Sequence, residues 1–317
     1  MADQPMRILI TGATGFIGAR LTRALLADGH TVGILLREGS NTGRLSDIVD
    51  RLSLLHADVR DGDAVTRVFS EFRPDIVLHL VTYYAVEHVS AEVGVMLDTN
   101  VRGTVNLLEA SRLSGTKLFV NTSTCAVYAQ KDRLLAETDE VSPQNLYAVT
   151  KLQAEEACRF YAENYDVHGI TLRLFPPYGP GDHDRRLIPF VIRSFLDGKS
   201  PSLTTGLQKW DFVYVDDIVE AYRAVIRSYP YTLPYDVVNI GTGQPVSVRE
   251  MVLAIQEMTK STVSLAWGAV PHRKNEVWFN SADIKKAASL LGWTPGTDLK
   301  TGLERSIAAI TGNGKNR

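Results

Sequence analysis

In the segment YAVTK, residues 147–151, a tyrosine and a lysine stand four positions apart. On a helix, that spacing puts Tyr147 and Lys151 on one face. An ammonium beside a phenol favours the phenolate and lowers a pKa that is about 10 when unperturbed. Tyr147 then becomes a proton donor or acceptor near neutral pH. Upstream, the apolar run KLFVNTS (117–123) leads into Thr124, a hydroxyl at the C-terminal end of a strand. Such an end opens onto the cleft of an α/β sheet, where Thr124 could hydrogen-bond the same substrate oxygen. A tyrosine–lysine pair alone is a weak signal, so its meaning rests on the elements that position it.

Those elements begin with a glycine loop. RILIT (7–11) is followed by Gly12, Gly15 and Gly18, directly before a helical stretch. Glycine there lets the chain turn tightly and lets the backbone approach a pyrophosphate lodged among free N–H groups of the helix N-terminus. Thr14, Phe16 and Ile17 complete the candidate loop. The second strand, TVGILL (31–36), ends in Leu36 where an acidic residue would hold the ribose of NAD, and Arg37 comes next. A guanidinium suits the 2′-phosphate of NADP, so NADP(H) is favoured and NAD(H) stays open. Asp58, in HADVRD, is placed to accept from an adenine amino group, though a plain turn aspartate would look the same.

Further short apolar runs occur at 52–57, 75–81 and 169–175, and amphipathic stretches at 17–28, 62–72, 98–114 and 145–165. Continuous apolar strands separated by helices predict a doubly wound parallel sheet of the α/β class. After about residue 175 the rhythm changes to a loop rich in proline and glycine. DFVYV (211–215) and YDVVNIG (235–241) are expected to return to the sheet. A dinucleotide-binding domain thus spans 1–174 plus about 211–241. A smaller, discontinuous C-terminal substrate domain takes 175–210 and 242–317, and the cleft between the two is the natural ligand site.

Composition narrows the function. The chain has 317 residues, 44% of them hydrophobic, with a net charge of −2. That supplies a large core and no basic stripe for nucleic acid. Cys125 and Cys158 are too few for a disulfide framework and lack metal-ligand spacing, so no metal is expected. The start MADQPMRILITGATGF has no signal-peptide pattern and no stretch suits a membrane span, which predicts a soluble cytoplasmic protein. The tail TGNGKNR reads as frayed.

Taken in order, the glycine loop, Asp58, HLV (79–81), NVRGTVNLLEA (100–110), Thr124, Tyr147 with Lys151, DFVYVDD (211–217) and LLGWTP (290–295) carry a resemblance. The chain resembles the extended short-chain dehydrogenase/reductases that act on nucleotide sugars, from residue 6 to about 295. The resemblance implies a Rossmann sheet in which tyrosine exchanges a proton with a sugar hydroxyl or ketone while nicotinamide exchanges hydride at that carbon. It implies that Lys151 also holds the nicotinamide ribose, and it adds Val59, Leu80 and Asn100 to the cofactor set. A catalytically silent dinucleotide binder would have no need of Thr124, Tyr147 and Lys151 together.

Departures from the family pattern choose among its reactions. In the 4,6-dehydratases an Asp-Glu pair follows the hydroxyl residue; here Cys125 and Ala126 stand there. Cys125 reads as a small packed residue. What remains is NADPH-dependent reduction of a nucleoside-diphosphate 4-keto-6-deoxy sugar, or 4-epimerisation through a transient ketone. For the substrate, Pro176 replaces the usual asparagine of RxFNxYGP, and Trp210, with Lys209 beside it, replaces an arginine. Arg273 resembles the arginine that contacts the diphosphate. Tyr83 and Tyr84 should lie near the cleft, with Tyr84 a candidate sugar contact. Trp210 leans to packing, His79 to a structural role, and His183 to a solvated loop. In relatives the helices at 98–114 and 145–165 form a dimer interface, so a homodimer is expected, with a nucleotide sugar as substrate and no membrane partner.

Overall fold

The computed structural model describes residues 4–85 and 87–313. The first three residues of the N-terminal stretch and residues 314–317 of the tail lie outside the described residues. In its first half, strands and helices alternate: β1 (Arg7–Thr11), α1 (Phe16–Ala27), β2 (Thr31–Leu36), β3 (Ser53–His56), α2 (Gly62–Phe72) and β4 (Ile76–His79). Next come α3 (Val93–Leu97), α4 (Gly103–Ser114), β5 (Leu118–Thr124), α5 (Leu146–Asn164) and β6 (His168–Leu174). The remainder holds β7 (Pro177–Tyr178), α6 (Leu187–Leu196), β8 (Lys209–Trp210), β9 (Val213–Tyr214), α7 (Val215–Ser228) and β10 (Tyr235–Ile240). It ends with β11 (Val246–Ser247), α8 (Val248–Thr259), β12 (Phe279–Asn280), α9 (Lys285–Leu291) and α10 (Leu299–Asn313).

Seven strands form one sheet in the order β10-β6-β5-β4-β1-β2-β3, and every neighbouring pair is parallel. Strand residues alternate between two covered faces. Ile8, Ile10, Leu78 and Val120 point toward α1 and α7, packing with Leu21 and Tyr222. Leu9, Val77 and Phe119 point the other way, toward Phe69 of α2, Leu107 of α4 and Cys158 of α5. Both faces being covered explains why these strands read as unbroken apolar runs. This is the doubly wound Rossmann-type architecture. Its strand order reverses between β1 and β4, which opens a crevice at their C-terminal ends.

A separate apolar cluster joins α6, α8 and α10 through Val191, Ile192, Met251, Ile255 and Leu303, with Tyr178 and Tyr214 beside them. Only one of the two later apolar runs returns to the large sheet. YDVVNIG supplies β10, which pairs with β6, whereas in DFVYV only Val213 and Tyr214 form a strand, paired with Pro177 and Tyr178. Asp211, just before that strand, is turned inward and accepts from Thr242 N, just past β10, and from Ala282 N.

Helix boundaries shift too. The stretch expected from 98 starts at Val93 and passes through a π turn at Asp98–Arg102 before α4. Residues 311–313 of the tail belong to α10 rather than to a frayed end. Among the described residues, no helix is long and apolar enough to cross a membrane.

Candidate active site

The crevice is floored by the glycine loop. Gly12 adopts φ +71°, and a Cβ there would lie 2.8 Å from the Leu80 carbonyl carbon and from the Val81 nitrogen. A Cβ on Gly18 would stand 2.1 Å from the Gly12 carbonyl oxygen. Gly15 donates its N–H to that same oxygen at 3.0 Å and caps α1 without any side-chain bond. The first turn of α1 holds no acidic residue, so its N–H groups, with Phe16 and Ile17 among them, suit an anion. Thr14 is half-buried beside them. These are the features that fit a dinucleotide pyrophosphate: a cradle that side chains would fill, with uncapped donors lining it.

Beneath the loop, the Thr11 hydroxyl accepts from the Leu80 and Val81 N–H groups, each at 3.2 Å. It also meets His79 Nδ1 at 2.8 Å, and Nε2 of that ring meets the Thr104 hydroxyl at 2.9 Å. Burial pulls His79 down to about 3, so the ring is neutral and structural, as expected.

At the other end of the crevice, Arg37 is exposed just past β2. Asp58 forms an ion pair with Arg60 at 2.7 Å, which holds its carboxyl below the usual range, with a smaller contribution from Arg37. Val59 is buried, and a Cβ on Gly103 would lie 2.8 Å from its Cγ2, so this loop and α4 are in close contact. Asn100, in the π turn, spends its amide on the chain. Its Oδ1 accepts from Tyr83 N at 2.7 Å; its Nδ2 donates to Tyr83 O and to Thr150 Oγ1, both at 3.0 Å. It thereby ties the loop after β4 to α5.

Asn145 starts α5 by accepting from Ala148 N at 2.9 Å. One turn of that helix carries both Tyr147 and Lys151, each buried. Thr124 ends β5 half-buried, its Oγ1 accepting from Ala126 N at 3.2 Å. Tyr84 lies edge-on against Tyr147, and Arg186, at the N-cap of α6, sits over the Tyr84 ring at 5.7 Å.

Electrostatics here correct one expectation. Burial pushes the Tyr147 hydroxyl well above the phenol range, and Tyr84 and Cys125 add to that, while Thr124 and Arg186 draw it back. The Lys151 ammonium is not among the main influences on it. Lys151 itself is pulled down to about 8 by burial, against the pull of Cys158 and Glu155. Enclosure therefore dominates over the acidifying charge that helix spacing alone suggests.

Cys125 is buried, accepts from Asn280 Nδ2 at 3.0 Å, and is pushed up by burial to about 11. It is a packed thiol, in line with the sequence reading. Trp210 also packs: its Nε1 donates to Val277 O at 2.8 Å and its ring tilts against Phe212. Pro176 is half-buried, and its carbonyl accepts from Val213 N at 3.0 Å. Lys209 and Arg273 are exposed, the first on β8 and the second on the loop before β12. That loop reaches the start of α5, where Asn275 Nδ2 donates to Gln144 O at 3.4 Å. Beside this contact opens a cavity of about 390 Å³, bordered by Ala85, Glu87, His88, Asn145 and Asn275. His183 is exposed, as expected. Among the described residues, no cluster of three or more His, Cys, Asp or Glu could hold a metal ion.

Sequence reasoning missed three groups. Arg186 is one. Asp211 is another: fully buried, it accepts from the N–H groups of Thr242, Gly243 and Ala282 at 2.8–3.0 Å. The third is the buried ion pair of Glu155 with Arg173 at 2.7 Å. The position of Asp211 within DFVYVDD is the one local signal that could have found it.

Comparison with known proteins identifies the family and the fold. The sequence pattern of the NAD dependent epimerase/dehydratase family matches residues 8–241. The chain is 30% identical over 312 residues to a CDP-abequose synthase of Salmonella typhimurium, covering 96% of this chain and 98% of that one. Its fold is similar to that of the UDP-glucose 4-epimerase of Thermotoga maritima solved with UDP-glucose, with a TM-score of 0.88 and 27% identity, covering 97% and 99% of the two chains. It is also similar to MoeE5 in complex with UDP-glucuronic acid and NAD, with a TM-score of 0.86 and 30% identity over 97% and 99%.

Proposed function

The chain belongs to the NAD-dependent epimerase/dehydratase family and is a nucleotide-sugar enzyme of the oxidoreductase and epimerase kind; from that premise we propose that it reduces a nucleoside-diphosphate 4-keto-6-deoxy sugar with NADPH. The reading is supported by Thr124 at the end of β5 beside Tyr147, by Lys151 one turn along the same helix, and by exposed Arg37 in place of an acid after the second strand. Gly12, Thr14, Gly15, Phe16, Ile17 and Gly18 would hold the pyrophosphate, Asp58 and Val59 the adenine end, and Leu80 and Lys151 the nicotinamide end, while Asn100, buried with its amide committed to Tyr83 and Thr150, braces that end from behind. A nicotinamide bound there supplies hydride. Tyr147 delivers a proton from Oη to the substrate oxygen, and Thr124 orients that oxygen. Near neutral pH the Tyr147 phenol is protonated beforehand, as a donor must be. Tyr84, Pro176, Lys209 and Arg273 are the candidate contacts to sugar and diphosphate.

NAD(H) is the alternative cofactor, supported by the NAD in the MoeE5 complex. A 4-epimerase is the alternative reaction, supported by the likeness to the Thermotoga enzyme. A dehydratase is disfavoured because buried Cys125 and Ala126 offer no acid–base pair. We propose further that a substrate domain from 175–210 and 242–317 faces a dinucleotide domain from the rest, in a cytoplasmic homodimer, with one correction to those bounds: Ala287 and Leu291 of α9 pack into the core of the large sheet, so α9 goes with the dinucleotide domain. Leu113 on α4, with Phe160 on α5 and Tyr165 at its C-cap, is 41–57% exposed, which supports pairing through those helices.

Absorbance of the reduced cofactor, followed with NADPH or NADH and a panel of 4-keto nucleotide sugars, tests the reading. Stoichiometric oxidation supports reduction; sugar interconversion without net oxidation supports epimerisation. Turnover of no nucleotide sugar in either assay would sink both.

A further inference from the structure

Thr124 sits on β5 while Tyr147 and Lys151 sit on α5, so some contact must set those two elements in register. Glu155 lies one helical turn beyond Lys151 and two beyond Tyr147, on the same face of α5, and is 3% exposed. Its carboxylate accepts from the hydroxyl of Ser123, the neighbour of Thr124. It also accepts from Arg173 of β6, with Nη2 to Oε2 at 2.7 Å and Nε to Oε1 at 3.1 Å. Arg173 in turn lies over the Tyr128 ring at 4.7 Å, and Tyr128 donates to Asn239 of β10 at 2.7 Å. One carboxylate thus joins α5, β5 and β6.

We propose that Glu155 is a positioning residue whose carboxylate pins α5 to β5 and β6, setting where Tyr147 and Lys151 stand relative to Thr124, and serves as the counter-charge of Lys151. Its consequence for turnover rests on the function proposed above. The ionisable groups around Lys151 are few. Glu155 and Cys158 share its helix, His79 faces it from β4, and Tyr235 of β10 approaches Glu155 and Cys158. His79 is neutral and Cys158 is raised by burial, which leaves the Glu155 carboxylate, one turn away on the same buried face and also paired with Arg173, as the anion beside Lys151. A buried ammonium without an anion loses its proton at lower pH.

The test follows Nζ ionisation of Lys151 in the full chain by lysine-selective NMR, with the signal identified by its loss in Lys151→Arg. In Glu155→Gln the midpoint falls by about one pH unit or more, the size expected for one nearby opposite charge. Ser123→Ala removes a strut and keeps the carboxylate, so its midpoint stays parental. The double variant Glu155→Gln/Arg173→Met removes both charges and serves as the folded reference should Glu155→Gln fail to fold; its midpoint also falls, by less, because the more distant Arg173 cation leaves with the carboxylate. A parental midpoint in Glu155→Gln or, failing that, in the double variant overturns the counter-charge. For positioning, Glu155→Gln lowers kcat by about a hundredfold with KM for the sugar held, the cost of a small misplacement. Unchanged kcat overturns it. A parent chain that turns over no nucleotide sugar would sink the proposed function instead, leaving the Lys151 midpoint to decide on Glu155.

Discussion

Tyr84 meets Tyr147 edge-on, with ring centroids 4.9 Å apart and planes at 78°. The contact fixes the Tyr147 ring from the solvent side while α5 fixes it from within. Because Tyr84 is 54% exposed, it shields the phenol without sealing the crevice. The hydroxyl is therefore enclosed enough to stay protonated and open enough to meet a substrate.

Removing that hydroxyl separates chemistry from packing. Tyr147→Phe keeps the ring and its contact with Tyr84, so melting and cofactor affinity stay near parental values. Turnover falls by about 10²–10⁴-fold, the usual contribution of a positioned proton donor. Stopped-flow oxidation of NADPH together with a cofactor titration checks both halves. Parental turnover in this variant would remove Tyr147 from the mechanism.

Gly18→Ala tests the cradle. Its new Cβ would stand 2.1 Å from the Gly12 carbonyl oxygen, a backbone atom that cannot rotate aside. The variant should lose about 1–3 kcal/mol of stability, as overpacked sites do, and its dinucleotide affinity should drop. Calorimetry with and without NADP measures both, and undiminished affinity would mean that the helix N-terminus does not face the cofactor.

Cofactor choice is expected to ride on Arg37. Losing a charge-assisted hydrogen bond to a phosphate costs about 1.5–3 kcal/mol, so Arg37→Ala should weaken NADP by roughly tenfold or more and leave NAD nearly unchanged. Equilibrium binding of both nucleotides to both proteins decides this. An unaltered preference would discard the assignment.

Lys151 makes a pH prediction with a definite sign. Its folded value of about 8 lies below the usual 10.5. Between those values the unfolded chain holds the proton and the folded chain does not, so stability rises with pH through that window. Lys151→Met should remove that rise. Denaturant melts of both proteins from pH 7 to 11 provide the comparison, and identical slopes would refute the lowered value.

Much of the crevice was legible because its determinants are local. Gly12, Gly15 and Gly18 encode their turn within one strand-to-helix connection, and the spacing of Tyr147 and Lys151 fixes a shared face. Trp210 and Cys125 were readable as packed residues. What stayed hidden depends on partners distant in sequence. Asp211 answers to residues 242–243 and 282, Glu155 to Ser123 and Arg173, and Arg186 to Tyr84. DFVYV misled for a related reason: its apolar pattern suits a two-residue strand in a small sheet as well as a long one in the large sheet. The phenol was misjudged because helix spacing reports which charge is near and not how much water is excluded.

The place of β10 has a consequence for biogenesis. That strand lies at the edge of the large sheet beside β6, yet it is separated from β6 by about sixty residues that include α6 and α7. During synthesis, β6 must wait bare-edged until Ile240 has left the ribosome. A nascent chain halted earlier would show an unpaired border inviting β-sheet association with other copies, the hazard that chaperones exist to intercept.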